Sequence, residues 1–212
     1  MAEIDHIVVG ASSLEAGAAW LLQHLGVSPQ KGGVHEGFGT HNMLLGLGPA
    51  CYMEIIAPDP GQPNPPHPRP FDLDNPGVKT MLEAEPRLLA WVARTAALDT
   101  ITAKLGPRGG EVKEMRRGDL HWRMAFPPQQ QDMDNLIPAL IQWNGHGASS
   151  RLHDSKCRLR LLEAEHPEDV AARAALAERG LEGVLKLRHS PHARLLAHVL
   201  RPDGTEVTLA SG

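Results

Sequence analysis

Three times along this chain a short apolar run gives way to a helical stretch and then to three further strand-like runs, and that recurrence limits the fold more than any other feature. Element order repeated at roughly even intervals marks repeated supersecondary units. The first copy is the clearest. Ile4-Asp5-His6-Ile7-Val8-Val9 is rich in β-branched residues and reads as a strand, its alternation placing Ile4, His6 and Val8 on one face and Ile7 and Val9 on the other. Ser12 and Glu15 form a capping-box pattern, Leu14, Ala18, Leu21, Leu22 and Leu25 follow at helical spacing, and Gly26 supplies the stop. Glycine- and histidine-containing residues around 32–39 then precede strand-like runs at His41–Leu47 and Cys51–Ala57, parted by a Gly48-Pro49 turn signal, so that the first 57 residues read strand–helix–strand–strand–strand.

Asp59–Gly77 interrupts the pattern. It is dense in proline, which continues neither a helix nor a central strand, so it reads as an ordered linker stiffened by polyproline geometry. The second copy has a strand at Leu88–Thr95, a helix at Leu98–Leu105 and strands at Glu111–Arg116, His121–Phe126 and Ile137–Trp143. The third has Arg158–Glu163, a helix at Pro167–Arg179 stopped by Gly180, then Leu185–Arg188, Leu195–Leu200 and Glu206–Leu209. The expected fold class is therefore α+β: a first βαβββ module at 1–58, a proline-rich linker at 59–77, a second module at 78–150 and a C-terminal βαβββ-like module at 151–212. Identity between the copies is weak, so the repeat rests on pattern.

At 212 residues, 42% hydrophobic and 22% charged, the chain is long and apolar enough to bury a core without staples. A net charge of −4 and a pI near 6.3 leave no basic footprint for nucleic acid, and 4% aromatic residues argue against a base-stacking platform. Cys51 and Cys157 fit no metal-finger or redox spacing and read as reduced thiols. The N-terminus enters a strand pattern at once, without the charged leader and apolar stretch of a signal peptide, and no apolar run reaches the ~18 residues of a membrane span. A soluble cytoplasmic protein with a small-molecule partner, and neither nucleic acid nor membrane, is the expectation. Walker, Rossmann, nucleophile-elbow and zinc-knuckle motifs are absent.

The His35-Glu36-Gly37-Phe38-Gly39-Thr40-His41-Asn42 run, followed by Met43-Leu44-Leu45, resembles a motif of the glyoxalase-like domain family within the vicinal-oxygen-chelate superfamily. Ile4–Val9 looks like the superfamily's first strand, Tyr52–Pro58 like its fourth, and Leu136–Trp143 with His146 also fits. The resemblance is good over residues 1–150 and rests on pattern alone beyond them. It implies two modules paired into a half-open, barrel-like sheet around a small-molecule cavity. It also implies a divalent metal (Zn, Fe, Mn or Ni) held by inward residues of the first and fourth strands. His6 and Glu54 stand at those positions. Aligning Leu14-Glu15 with Leu98-Asp99 puts Ala90, which cannot ligate, where His6 sits, and makes Gln142 the fourth-strand counterpart. The ligand set would then be His6, Glu54 and Gln142, at the threshold of the three protein ligands a catalytic zinc usually has, with His121 or His146 able to complete it.

Each candidate also has a plainer reading. His6 on an apolar strand face is either a hydrogen-bonded core histidine or a ligand or general base. Glu54 between apolar neighbours either faces solvent or faces a cavity with a partner, because a lone buried carboxylate is costly. His35, Thr40 and Asn42 either line the cavity mouth or belong to a tight turn that Gly37 and Gly39 permit. Trp143 is core or a substrate wall; His146 stands near it. Arg116, Arg117 and Arg123 are solvated charges or partners for an anionic substrate, with Arg123 taken as the substrate contact. Two functions follow: an enzyme of lyase/isomerase or dioxygenase type using Glu54 and His6, or a metal-free binding protein on the same scaffold, which Ala90 favours. The sheet edges of a third module also predict a homodimer.

Overall fold

A computed structural model describes residues 2–128 and 133–212; Met1, where the reading of the N-terminus begins, lies outside the described residues. The first module folds as β1 (Glu3–Gly10), α1 (Leu14–Leu25), β2 (Gln30–His35), β3 (Thr40–Gly46) and β4 (Tyr52–Pro58). After a strap of prolines and a short helix α2 (Pro76–Ala84) comes the second, with β5 (Arg87–Arg94), α3 (Leu98–Leu105), β6 (Val112–Arg117), β7 (Leu120–Ala125) and β8 (Ala139–Trp143). The third comprises β9 (Arg158–His166), α4 (Asp169–Glu178), β10 (Lys186–His189), β11 (Arg194–Leu200) and β12 (Glu206–Ala210).

Modules one and two share one eight-stranded sheet, ordered β2-β3-β4-β1-β5-β8-β7-β6. β1 pairs in parallel with β4 and β5 in parallel with β8, while β1 and β5 meet antiparallel at the centre. The pairing is symmetric: Val8 faces Ala90 and His6 faces Val92, so a local two-fold relates the modules. The two end strands, β2 and β6, come back into contact and nearly close the sheet into a barrel.

The sheet separates two apolar clusters. On its convex side Ile7, Val9, Met53 and Ile55 pack with Leu21 and Leu25 of α1 and with Leu162, Ala164, Ala197 and Val199 of the third module. On its concave side Val8, Ile56, Val92, Trp122 and Ile141 form a second cluster around the cavity.

Several local expectations need correction. The α1 cap is Ser13, whose hydroxyl accepts the Ala16 N–H at 3.2 Å, rather than Ser12; Gly26 closes the helix in the left-handed region, φ 72°. Pro76 occupies the first turn of α2 behind the Asn75 cap, so the proline-rich stretch ends inside a helix. A register shift in the β1–β5 ladder between Ile4 and His6 moves Ile4 to the convex cluster, off the face of His6. The third module keeps the β-α-β-β-β order but not the wiring. Its sheet runs β10-β9-β11-β12, with its first and second strands parallel neighbours, whereas the first module runs β2-β3-β4-β1.

Candidate active site

The parallel register of β1 and β4 sets Val8 against Glu54 and His6 against Tyr52, and strand alternation turns His6 and Glu54 onto the same concave face. His6 Nε2 lies 3.5 Å from Glu54 Oε2. Both groups are buried, and both line a narrow cleft of about 40 Å³.

The shift in β1 lets Asp5 join the site. Its Oδ1 is 2.7 Å from His6 Nδ1, and its Oδ2 accepts the Trp143 indole N–H at 2.9 Å. The Tyr52 ring stacks on His6 at 4.5 Å between centroids. Burial alone would lower the His6 pKa, but the hydrogen bonds and charges of Asp5 and Glu54 raise it to about 9, so the imidazole is a cation at neutral pH. Burial likewise works against the Glu54 anion, yet the hydrogen bond and charge of His6 and the Asn42 amide hold its pKa below the ordinary carboxylate value. The result is a buried His6–Glu54 ion pair.

A second tier orients the pair. Asn42 Oδ1 accepts from Arg117 Nη1 at 3.0 Å and from the Gly33 N–H at 2.9 Å. That fixes the amide so that Nδ2 points at Glu54 Oε1, 2.6 Å away, and at His35 Nε2, 3.1 Å away. His35 Nδ1 lies 2.9 Å from the Thr40 hydroxyl oxygen. Burial lowers the His35 pKa against the pull of Glu54, so His35 is neutral. With Nε2 accepting from Asn42, its proton belongs on Nδ1 and is donated to Thr40. Glycine makes the approach possible: a Cβ on Gly32 would overlap Asn42 Oδ1, and one on Gly33 would lie 2.5 Å from the Arg117 Cδ. Gly37 and Gly39, both at positive φ, turn the chain between β2 and β3.

Of the residues singled out in the sequence, His6, Glu54, His35, Thr40, Asn42 and Trp143 come together at this cleft. Gln142, His146 and Arg123 do not. Gln142 lies between Ile141 and Trp143 and faces the other side of β8, where its Oε1 accepts the Leu98 N–H at the start of α3. Arg123 is a bidentate partner of Asp99, 2.9 Å at each contact. His146 borders a separate hollow with Glu3 and Arg94.

The register also corrects the matching of modules. Val92 corresponds to Val8 and pairs with Ala139, so Ala139 rather than Gln142 stands where Glu54 does. Four inward positions that could have supplied metal ligands therefore carry His6, Glu54, Ala90 and Ala139. His6 Nδ1 is taken up by Asp5, Glu54 Oε1 holds the Asn42 amide, and no group of three His, Cys, Asp or Glu suited to a metal exists among the described residues. This donor set does not fit a resident divalent metal.

Asp5, Tyr52 and Phe71 of the strap are site residues that sequence reasoning missed. Asp5 carried no signal, since strict alternation puts it on the far face. Arg117 was one of three arginines read either as solvated charges or as partners for an anionic substrate; its place against Asn42 depends on closure of the sheet. The Cys51 thiol, pushed up to about 12 by burial first and then by the Asp5 charge, offers no nucleophile.

A family profile described as a glyoxalase-like domain matches residues 4–180, reaching through β9 and α4 of the third module. No curated protein matches the chain. Among solved structures it is similar to a hypothetical protein from Staphylococcus aureus, with 15% identity and a TM-score of 0.55 over 98% of this chain and 85% of that one. It is also similar to methylmalonyl-CoA epimerase from Mycobacterium tuberculosis, with 17% identity and a TM-score of 0.41 over 66% of this chain and 86% of that one. The first of these likenesses shows the fold alone. With most of its length matched to the family profile, the chain belongs to the glyoxalase-like domain family.

Proposed function

We propose that this protein is an enzyme that moves a proton at carbon next to the carbonyl of a small oxygenated substrate, without a resident metal. The observation that carries the reading is the buried Glu54–His6 pair, with His6 pinned by Asp5, at the end of a cleft. Two titratable groups whose surroundings drive them to opposite charge states are the parts an acid–base pair requires.

In the resting pair Glu54 is a weak base, because His6 stabilises its anion. A substrate carbonyl that takes over the His6 Nε2–H removes that stabilisation, at a contact already long at 3.5 Å. Glu54 then gains basicity as the substrate binds and can take the α-proton, while the His6 cation stabilises the developing enolate oxygen. Return of the proton gives isomerase-type chemistry, and expulsion of a leaving group β to the carbonyl, with the proton kept on Glu54, gives lyase-type chemistry. The Arg117 guanidinium at the cleft suits a neighbouring carboxylate. Ring-cleaving dioxygenase chemistry is not part of the proposal, since the donor set does not suit iron.

The test is solvent-deuterium incorporation into pyruvate, 3-methyl-2-oxobutanoate and phenylpyruvate, read above the uncatalysed rate. Incorporation by the wild type should fall by about 10²-fold or more in Glu54→Gln. It should survive exhaustive chelation. Loss of activity on chelation, restored by one metal, would reject the metal-free reading; equal rates in wild type and Glu54→Gln would reject the base.

A second reading, binding without turnover, is favoured by how completely Asn42, Arg117, His35 and Glu54 satisfy one another. Saturable binding with no deuterium incorporation would select it. The expected homodimer now rests on the edges β10 and β12, because the apolar face of the third sheet is covered within the chain. The cytoplasmic assignment rests on the free thiols Cys51 and Cys157.

A further inference from the structure

Beside the polar cleft, on the same concave face, lies a second and larger cavity of about 410 Å³, a size in the range of small-molecule pockets. It occupies the half of the sheet that belongs to the second module. There the local two-fold places Ala90 and Ala139 at the positions of His6 and Glu54, so a methyl group replaces each large polar side chain and the space stays open. Ile137 and Pro68 add apolar wall.

The two cavities have Phe38, Pro70, Phe71 and Phe126 in common. The aromatic rings line the junction between them: Phe71 meets Phe126 edge-on at 5.9 Å, and Phe38 lies 6.5 Å from Phe126. The strap holds Phe71 and Asp72 with φ of 56° and 57°, in the left-handed region that a bulky aromatic residue rarely adopts. Strain of that kind persists where surrounding structure insists on it. Here the structure that insists is Arg69, whose side chain bonds Asp74 at 2.7 Å and the Gly39 carbonyl at 2.9 Å, tying the strap to the β2–β3 turn.

From these observations we infer that the substrate has two parts: an oxygenated head at His6 and Glu54, and an aromatic or branched apolar body held in the cavity opened by Ala90 and Ala139. This rests on the proton-transfer reading for the head and adds the class of the body. The asymmetry of the two modules is then a division of labour. One copy of the folding unit carries the polar groups, and the other carries alanine there and leaves room.

Affinity for three 2-oxo acids sharing one head, measured by titration calorimetry on the full chain, tests the inference. Affinity should rise from pyruvate through 3-methyl-2-oxobutanoate to phenylpyruvate, by roughly tenfold or more across the series, as the apolar body enters the cavity. In Ala139→Leu the gain for phenylpyruvate should vanish while pyruvate binding is kept, with a thermal melt confirming the fold. The wild-type series carries the test alone if that variant fails to fold. A flat series, or an Ala139→Leu protein that binds phenylpyruvate as wild type does, overturns the inference. Deuterium incorporation separates the two proposals. A flat series with incorporation present leaves the proton-transfer reading standing and removes the cavity assignment; a graded series with no incorporation does the reverse.

Discussion

At the scale of the residue, the decisive feature is how the His6 charge is held. Its folded-state pKa is raised from 6.5 to about 9, so protonation of His6 contributes stability that is fully present below the ordinary histidine value and is lost as pH rises through the folded one. We expect the melting temperature of wild type to exceed that of His6→Gln by most near pH 6, with the gap narrowing as pH passes about 9; a gap that widens with pH would contradict the assignment. Glu54 acts in the opposite direction, since its folded pKa is depressed. Its contribution is present above the ordinary value of 4.5 and fades as pH falls, so the Glu54→Gln difference should shrink in acid. Gly33 tests the second tier: Gly33→Ala places a Cβ 2.5 Å from the Arg117 Cδ and should destabilise by about 1–3 kcal/mol in denaturant melts. His6 and Glu54 were legible as candidates because an imidazole and a carboxylate stand out in strands otherwise largely apolar, and His35, Thr40 and Asn42 because they lie in a run that resembles the family's motif. Asp5 was not, because its place depends on a register shift; Arg117 was named as a candidate, but its contact with Asn42 depends on two strands far apart in sequence meeting.

At the scale of the element, period and punctuation were enough to place the helices and strands of the three modules except β2, whose Gln30–His35 stretch carries no apolar run. The α3 bounds, Leu98–Leu105, coincide with the expectation, and those of β11 and β12 lie within a residue of it. Helix α2 escaped because its neighbours are prolines and its length is nine residues, too short for a convincing stripe. The capping serine is a finer point with a direct test. Ser13→Ala should cost about 1 kcal/mol of stability and Ser12→Ala close to nothing, since only Ser13 accepts the Ala16 N–H. Equal losses from the two changes would return the cap to the pair.

At the scale of the whole molecule, the third module is part of the common core rather than an appendage. Leu162, Ala164, Ala197 and Val199 pack on the convex side of the sheet with Ile7 and Val9. A chain ending after residue 150 would expose that apolar surface and should aggregate or bind hydrophobic dye, where the full chain stays dispersed. A monomeric, cooperatively melting 1–150 fragment would refute this. The amino-acid sequence alone determined the α+β class, the element order and the presence of a histidine and a carboxylate on strands one and four, because alternation and helical period are local properties of a chain. Which residue of the second module stands opposite Glu54, whether Asp5 reaches His6, and how Arg117 meets Asn42 were decided only in three dimensions. Those contacts depend on register, and a ladder offset of a few residues, as between Ala139 and Gln142, replaces one side chain by another and can turn it to the opposite face of the sheet.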